Sequence, residues 1–143
     1  MGKVRRIKFR GKTPAYCEAG GDWLYGDLWH LIDKENDKNA MLILPDDMDL
    51  VSADCKDNLV MFETVGQFTG LHDKNGREIY EDDIVQCGSD VCRVAYDDTR
   101  FASFVLINKK NMFKHYFGEA FEASDCEVIG NAHDNPELIT VVI

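Results

Sequence analysis

The sequence lacks any long hydrophobic run. No apolar stretch in its 143 residues approaches the roughly 18 residues that a membrane-spanning helix needs. The basic residues near the start are not followed by a hydrophobic stretch of the kind that a secretory signal has. We therefore expect a soluble cytoplasmic protein with no membrane partner, large enough for one domain or two small lobes.

The sequence also lacks a paired set of cysteines. An odd number of scattered cysteines argues against a disulfide framework and favours reduced thiols in a cytosol. They are Cys17, Cys55, Cys87, Cys92 and Cys126. Cys87 and Cys92 are predicted to face each other across a hairpin, and zinc would need further ligands such as Cys126 or His115. We favour buried structural thiols over a metal site.

Known ligand-binding motifs are absent or incomplete. Residues 11–13 resemble the end of a P-loop, but that loop needs a glycine where Arg6 stands and a helix where Pro14 intervenes. Asp47 and Asp49 begin like a calcium loop, which then fails at the third ligand. A weak, fortuitous calcium site is the alternative that stays open.

The histidines complete the search for catalytic groups. They are His30, His72, His115 and His133. None has a neighbouring serine or cysteine in a nucleophile motif, and a cysteine–histidine site assembled only by folding is the remaining alternative. We therefore predict no catalytic, cofactor-binding or metal-binding residue, no cofactor and no enzymatic activity.

Charge is abundant but unevenly distributed. The formal net charge is −10, although six basic side chains fall within residues 3–12. They are Lys3, Arg5, Arg6, Lys8, Arg10 and Lys12. We expect this basic strand to pair with acidic neighbours of its own fold or of another subunit. A nucleic-acid contact is the alternative.

Almost every ordered segment has the residue pattern of a β-strand. Strands are predicted at residues 5–10, 23–32, 40–44, 59–62, 65–68, 91–96, 101–107 and 126–131. The second of these is expected to be kinked or bulged at Gly26. Residues 46–58 are predicted to form an exposed, mobile connection, and residues 111–123 hold the one plausible helix, weakened by Gly118.

The most informative segment is residues 65–85. Asn75 and Gly76 form the dipeptide that best tolerates the positive φ angles of a tight hairpin turn. Past this turn, apolar pairs alternate with acidic residues, which predicts a strand that bends sharply at residues 81–83.

Four blocks of sequence, residues 5–12, 22–26, 65–85 and 127–131 with 135–138, resemble the YopX family of phage and prophage proteins. The family usually has Gly-Asp where this chain has Asp82-Asp83. The resemblance implies a β-rich protein of mobile bacterial elements with an SH3-type barrel in its C-terminal part. It implies no established activity and no catalytic residues.

These observations together predict an all-β or β-dominated α+β protein. Residues 1–58 would form an N-terminal β unit with an acidic connection, and residues 59–143 an SH3-like barrel lobe. Trp23, Tyr25 and Trp29 are interpreted as core and sheet-face residues, with an aromatic binding platform as the alternative.

The predicted role is a non-enzymatic protein-binding or assembly module in the cytoplasm of a bacterial host cell. We expect a homo-oligomer, because an apolar tail at residues 140–143 and a basic strand on an acidic body both need covering, and we expect a host or phage protein partner. The alternative is a nucleic-acid-directed role, either through the basic strand or through an acidic body that mimics DNA.

Overall fold

The structure, a computed structural model, describes residues 5–15, 21–46, 48, 57–99, 102–119 and 121–140. The chain divides into two compact units, residues 1–67 and 68–143. Both consist of antiparallel strands and short 3₁₀ turns, and no α-helix occurs in the described ranges. The predicted β-dominated fold class is therefore confirmed. Most of the predicted connection at residues 46–58, and the end of the apolar tail, lie outside the described residues.

The first unit contains one antiparallel sheet. Its strands are β1 Phe9–Lys12, β2 Trp23–Asp33, β3 Lys38–Leu44, β4 Leu59–Val60 and the beginning of β5 Gly66–His72. Within this unit the strand order is β4-β3-β2-β1, and Gly66 and Gln67 of β5 pair with β1. A 3₁₀ turn at Phe62–Thr64 follows β4. The buried apolar residues that β3 and β4 contribute to this unit are Leu42, Ile43, Leu44 and Val60.

The second unit contains the rest of β5, paired with β6, and a five-stranded sheet. The remaining strands are β6 Glu78–Tyr80, β7 Asp83–Cys87, β8 Asp90–Asp97, β9 Ser103–Asn108, β10 Lys114–Tyr116 and β11 Cys126–Asn131. The sheet order is β10-β9-β8-β7-β11. Among the strands described, no pairing closes the sheet into a barrel. The SH3-like barrel predicted for residues 59–143 is therefore not confirmed.

A disulfide bond runs through the core of the second unit and corrects the prediction of reduced thiols throughout. Cys87 and Cys126 lie directly opposite each other on β7 and β11, with their Cα atoms 4.4 Å apart, and are bonded. Cys92 lies opposite Val85, not opposite Cys87, and is a buried free thiol. The pairing was missed because it depends on the register of two strands that are distant in sequence.

The predicted helix at residues 111–123 is wrong. Lys114–Tyr116 form strand β10, which pairs with β9, and a 3₁₀ turn begins at Ala123. Met112 has a φ of 60° and Gly118 a φ of 89°, and neither value is compatible with a right-handed helix. Pairing with the edge of β9 outweighs the weak helical propensity of the segment.

The hairpin turn after β5 is confirmed, with one difference. Gly76 has a φ of 82°, whereas Asn75 does not have a positive φ. The Gly76 N–H donates to the Asp73 carbonyl at 3.0 Å, and the Asp73 N–H donates to the Arg77 carbonyl at 2.8 Å. This is the geometry of a type I turn followed by one left-handed residue, so the turn requires only one glycine.

The Asp73 side chain ties this turn to β11. Its Oδ1 accepts hydrogen bonds from the N–H groups of Asn75 and Arg77, each at 2.9 Å, and its Oδ2 accepts one from the Val128 N–H at 2.9 Å. Burial acts to raise the pKa of Asp73, but the three N–H donors and the Arg77 charge outweigh it, so the pKa lies below its usual value.

The predicted bend at residues 81–83 is confirmed and is made without glycine. Asp82 has a φ of 69°, and its backbone N–H and carbonyl are held by Val94 and Ala132. Its carboxylate lies 3.1 Å from His133 Nε2 and 3.8 Å from Arg93 Nε. Aspartate tolerates the left-handed region better than most residues, and these contacts hold it there.

Strand β2 changes its pairing partner at Gly26. Gly26 lies opposite Phe9 of β1, and the next residue, Asp27, lies opposite Leu44 of β3. Neither ladder crosses this position, so the kink or bulge stays a prediction, but the position is special. Gly26 has a φ of 154°, and a side chain there would overlap the Leu44 carbonyl and the Pro45 backbone.

Replacing Gly76 tests the turn. Gly76→Val should lower the free energy of unfolding by about 1–2 kcal/mol, because a β-branched residue is strained at positive φ. No atom outside the turn lies within 4 Å of the added Cβ, so the effect is purely conformational. Gly76→Asn is the matched control and should lower the free energy of unfolding much less, because asparagine tolerates positive φ better than valine. Equal urea denaturation midpoints for the valine variant and the wild type would contradict the assignment.

Replacing Asp73 tests the carboxylate that holds the turn to β11. Asp73→Asn should cost about 1–3 kcal/mol near neutral pH, because one buried N–H loses its acceptor. The pKa is lowered in the folded state, so the native protein binds fewer protons than the unfolded chain. The stabilisation is present above the unfolded pKa of about 3.9 and is lost as pH falls through the folded pKa. Urea denaturation across a range of pH should show the gap in stability between the two proteins closing in acid, and a gap that stays constant would contradict the role of the carboxylate.

Removing the disulfide tests the correction on the cysteines. Paired Cys87→Ser and Cys126→Ser substitutions should lower the free energy of unfolding by up to about 4 kcal/mol, from the closure entropy of a loop of 39 residues. A reductant should destabilise the wild type and the Cys92→Ala control, but not the doubly substituted chain. Peptide mapping without reduction should recover a linked pair, and two free thiols at these positions would refute the bond.

Candidate protein-interaction surface

The first unit extends a two-stranded arm formed by β2 and β3. Strand β1 pairs with β2 only from Trp23 to Gly26, and β3 pairs with β2 only from Asp27 to Asp33. No strand in the described part of the chain pairs with the other edge of β2 beyond Gly26. We call this edge, residues 29–33, the open edge of the arm.

The tip of the arm is ordered by its own side chains. Asp33 Oδ1 accepts from the Glu35 N–H at 3.1 Å and from the Asn36 N–H at 3.3 Å, and its Oδ2 accepts from Asn36 Nδ2 at 2.8 Å. The Asn36 side chain and then these backbone donors lower the pKa of Asp33. Asp33 therefore keeps its negative charge at mildly acidic pH, and the acidic residues Glu35 and Asp37 lie beside it at the tip.

Apolar side chains are exposed on both faces of the arm. Trp29 is 42% exposed and Leu31 is 39% exposed on one face, while Ile32 is 59% exposed on the opposite face. A sheet that packs on a core buries at least one of its faces. An apolar surface of this kind on a soluble protein is typical of a binding surface.

A groove of about 550 Å³ adjoins the arm within the first unit. Its lining residues are Pro14, His30, Asn39, Ala40, Met41, Leu59, Val60, Met61, Phe62 and Glu63. One wall comes from the arm, and the other comes from β4 and the 3₁₀ turn after it. Phe62 stands at this groove 71% exposed. The groove and the face of the arm that carries His30 and Ile32 thus form one largely apolar surface, which we call the arm–groove surface.

The aromatic residues singled out in the sequence lie on one face of β2 because all have the same parity in a regular strand. They differ in surroundings. The Arg10 guanidinium lies 4.7 Å from the centre of the Trp23 ring, and Arg10 is only 3% exposed. Tyr25 and Trp29 remain exposed. The structure therefore divides the predicted platform into a cation–π pair inside the fold and two accessible rings.

The basic segment is largely incorporated into the first unit. Arg6 forms an ion pair with Asp46, Arg10 is buried against Trp23, and Lys8 and Lys12 are half-buried. Arg5 is exposed, and Lys3 lies outside the described residues. This arrangement agrees with a strand that is neutralised and packed within its own fold.

The residues weighed for metal or nucleophilic chemistry are placed apart or otherwise engaged. Cys87 and Cys126 share a disulfide bond, and burial followed by the nearby Asp90 charge raises the pKa of Cys92 to about 11. Such a thiol is protonated near neutral pH, and it is the thiolate that attacks substrates and binds metals. His115 lies in β10, opposite Leu106 of β9. Asp47 and Asp49, which begin like a calcium loop in the sequence, lie outside the described residues.

Two features of this surface were missed in the sequence. Phe62 was predicted to be a strand residue, and Leu31 and Ile32 were predicted only to lie on a strand, with no prediction that they are exposed. The available signal was that the run from Leu28 to Ile32 is apolar at both parities, which predicts apolar side chains on both faces of a strand. Exposure could not be inferred from it, since a central buried strand has the same pattern.

Comparisons with known proteins bear on the fold and the family. The described residues contain no helix long and apolar enough to cross a membrane. The chain is similar to the solved structure of protein EF1440 from Enterococcus faecalis, with a TM-score of 0.55 and 23% sequence identity over 96% of this chain and 100% of that one. At this identity the likeness concerns the fold alone. No curated protein sequence matches the chain.

The model of the YopX protein family matches residues 8–140, which is nearly the whole chain. The resemblance found in the four sequence blocks is thus confirmed, and the chain belongs to the YopX family.

Proposed function

We propose that this chain is a non-enzymatic protein-binding or assembly module of a phage or prophage, acting in the bacterial cytoplasm through its arm–groove surface. The observation that carries the proposal is the groove itself, which is largely apolar in its lining and has Phe62 standing 71% exposed beside it. Aromatic and aliphatic side chains of this kind form the centre of protein interfaces. The partner would be a host or phage protein.

Charge supports a protein partner over a nucleic acid. The net charge of −10 repels phosphate, and the basic segment that could oppose this is engaged by Asp46 and Trp23. The nucleic-acid-directed alternative is retained in two forms, direct binding through the basic strand of residues 3–12, in which Arg5 is exposed, and an acidic body that mimics DNA and captures a host DNA-binding protein. The experiments below distinguish both.

The proposal extends to an SH3-like lobe in the second unit. Strands β7, β8, β9 and β10 follow one another in the sheet, and β11 returns to pair with β7. This meander with a returning last strand supports the SH3-like arrangement that the family resemblance implies. The completely buried Cys87–Cys126 bond is compatible with a cytoplasmic location, because burial limits the access of small thiols.

Binding to labelled DNA separates the two kinds of role. We expect no measurable association with double-stranded or single-stranded probes at physiological salt, measured by fluorescence anisotropy across a salt series. A low-micromolar complex that weakens with salt and is lost in Arg5→Ala with Arg6→Ala would overturn the proposal. Arg10 is left intact, because its removal would disturb the packing on Trp23.

Affinity capture from infected host cells then tests the surface itself. Phe62→Lys changes an exposed groove residue and should release the captured partner, whereas Met112→Lys, at an exposed apolar residue of the second unit, is the matched control and should retain it. Retention of the partner by the Phe62 variant would remove the groove from the proposal. Capture of a host DNA-binding protein that salt alone releases would favour the alternative in which the acidic body mimics DNA.

A further inference from the structure

The open edge of the arm exposes apolar side chains, which is unusual for a strand edge. Its residues 29–33 lie on β2, with β3 on one side and no described strand on the other. Natural edge strands are blunted by charges, prolines or bulges, but this edge carries Trp29, Leu31 and Ile32, all exposed. Among the described strands β4 pairs with β3 only at Met41 and Leu42, so the end of the arm, residues 31–33 with 38–40, has two strands and no third. Both facts call for a further strand beside β2.

We propose that the open edge pairs with the same edge of a second copy of this chain, antiparallel and around a two-fold axis. Antiparallel pairing of identical segments is isologous, because each copy gives and receives the same contacts. Residues 29–33 of the edge correspond to a span of about 17 Å. The two arms would then form a four-stranded ribbon, with apolar side chains of both copies adjoining on each face.

The charges along the edge favour a second copy in this orientation. The acidic tip, Asp33, Glu35 and Asp37, lies at one end of the open edge. At the other end, where Phe9 pairs with Gly26, the exposed Arg5 lies in the segment that precedes β1. Antiparallel pairing places the acidic tip of each copy towards Arg5 of the other. A parallel arrangement would place like charges together, which is unfavourable.

The apolar area of the edge fits this type of interface. At the observed exposures Trp29, Leu31 and Ile32 present roughly 250–300 Å² per copy, and a standard interface takes about 800 Å² from each partner. Edge pairing covers the part of these side chains that adjoins the partner strand, which supplies the apolar centre of the contact, and the charged tip and Arg5 supply the polar rim that surrounds such centres.

The inference rests on the proposed function only in using the arm as a contact surface. The groove faces a different partner, so the two can fail independently. A chain that is dimeric but captures no host or phage protein would leave the pairing intact. A monomeric chain that still captures a partner through Phe62 would overturn the pairing alone.

The test is the assembly state of the full chain by sedimentation velocity from 1 to 200 μM. We expect a dimer that Leu31→Lys with Ile32→Lys weakens at least tenfold, through charge repulsion at exposed positions that the monomer does not need for folding. Phe62→Lys, an exposed apolar residue away from the open edge, is the matched control and should leave the dimer unchanged. Circular dichroism verifies that each variant is folded.

A charge exchange then tests the orientation. Arg5→Glu and Glu35→Arg should each weaken the dimer, and the two together in one chain should restore part of the loss. A monomer at 200 μM, an assembly with an odd number of copies, or a dimer indifferent to the Leu31 and Ile32 substitutions would overturn the proposal. A dimer weakened by both single exchanges without restoration in the double variant would refute the antiparallel pairing.

Discussion

The close approach of the Leu44 carbonyl to the backbone of Gly26 is the constraint on which the first unit depends. Any side chain at this position would overlap that carbonyl and the following proline backbone. Because Gly26 has none, Leu44 can lie this close where β2 changes partners from β1 to β3. The open edge begins at the same residue, since β1 ends opposite Gly26 and no described strand continues beside β2 on that side.

Features set by local chemistry could be predicted from the sequence, and features set by distant pairing could not. The turn at Gly76 and the bend at Asp82 were both found from residue type alone, because turn conformations are determined within a few residues. The pairing of Cys87 with Cys126 and the strand at Lys114–Tyr116 depend on the partner strand that lies beside them. A single sequence contains no signal for that register.

The same distinction applies to the candidate surface. Side chains alternate between the two faces of a strand, so the sequence alone places Trp29 and Leu31 on one face and Ile32 on the other. Their exposure does not, because it depends on whether a neighbouring strand covers them. The basic segment shows the converse, since its charge was evident in the sequence while the burial of Arg10 against Trp23 required the folded sheet.

The order of the arm before binding has consequences for affinity. Asp33 accepts three hydrogen bonds from Glu35 and Asn36, so the turn that joins β2 and β3 is held by local contacts and does not need a partner. Association that must first order a flexible segment loses part of its interaction free energy to that ordering. An arm that is already a ribbon avoids this cost, and the exposed area of Trp29, Leu31 and Ile32 contributes more fully to binding. The lowered pKa of Asp33 extends this advantage below neutral pH, since the carboxylate that holds the tip stays ionised until the solution is more acidic than its usual pKa.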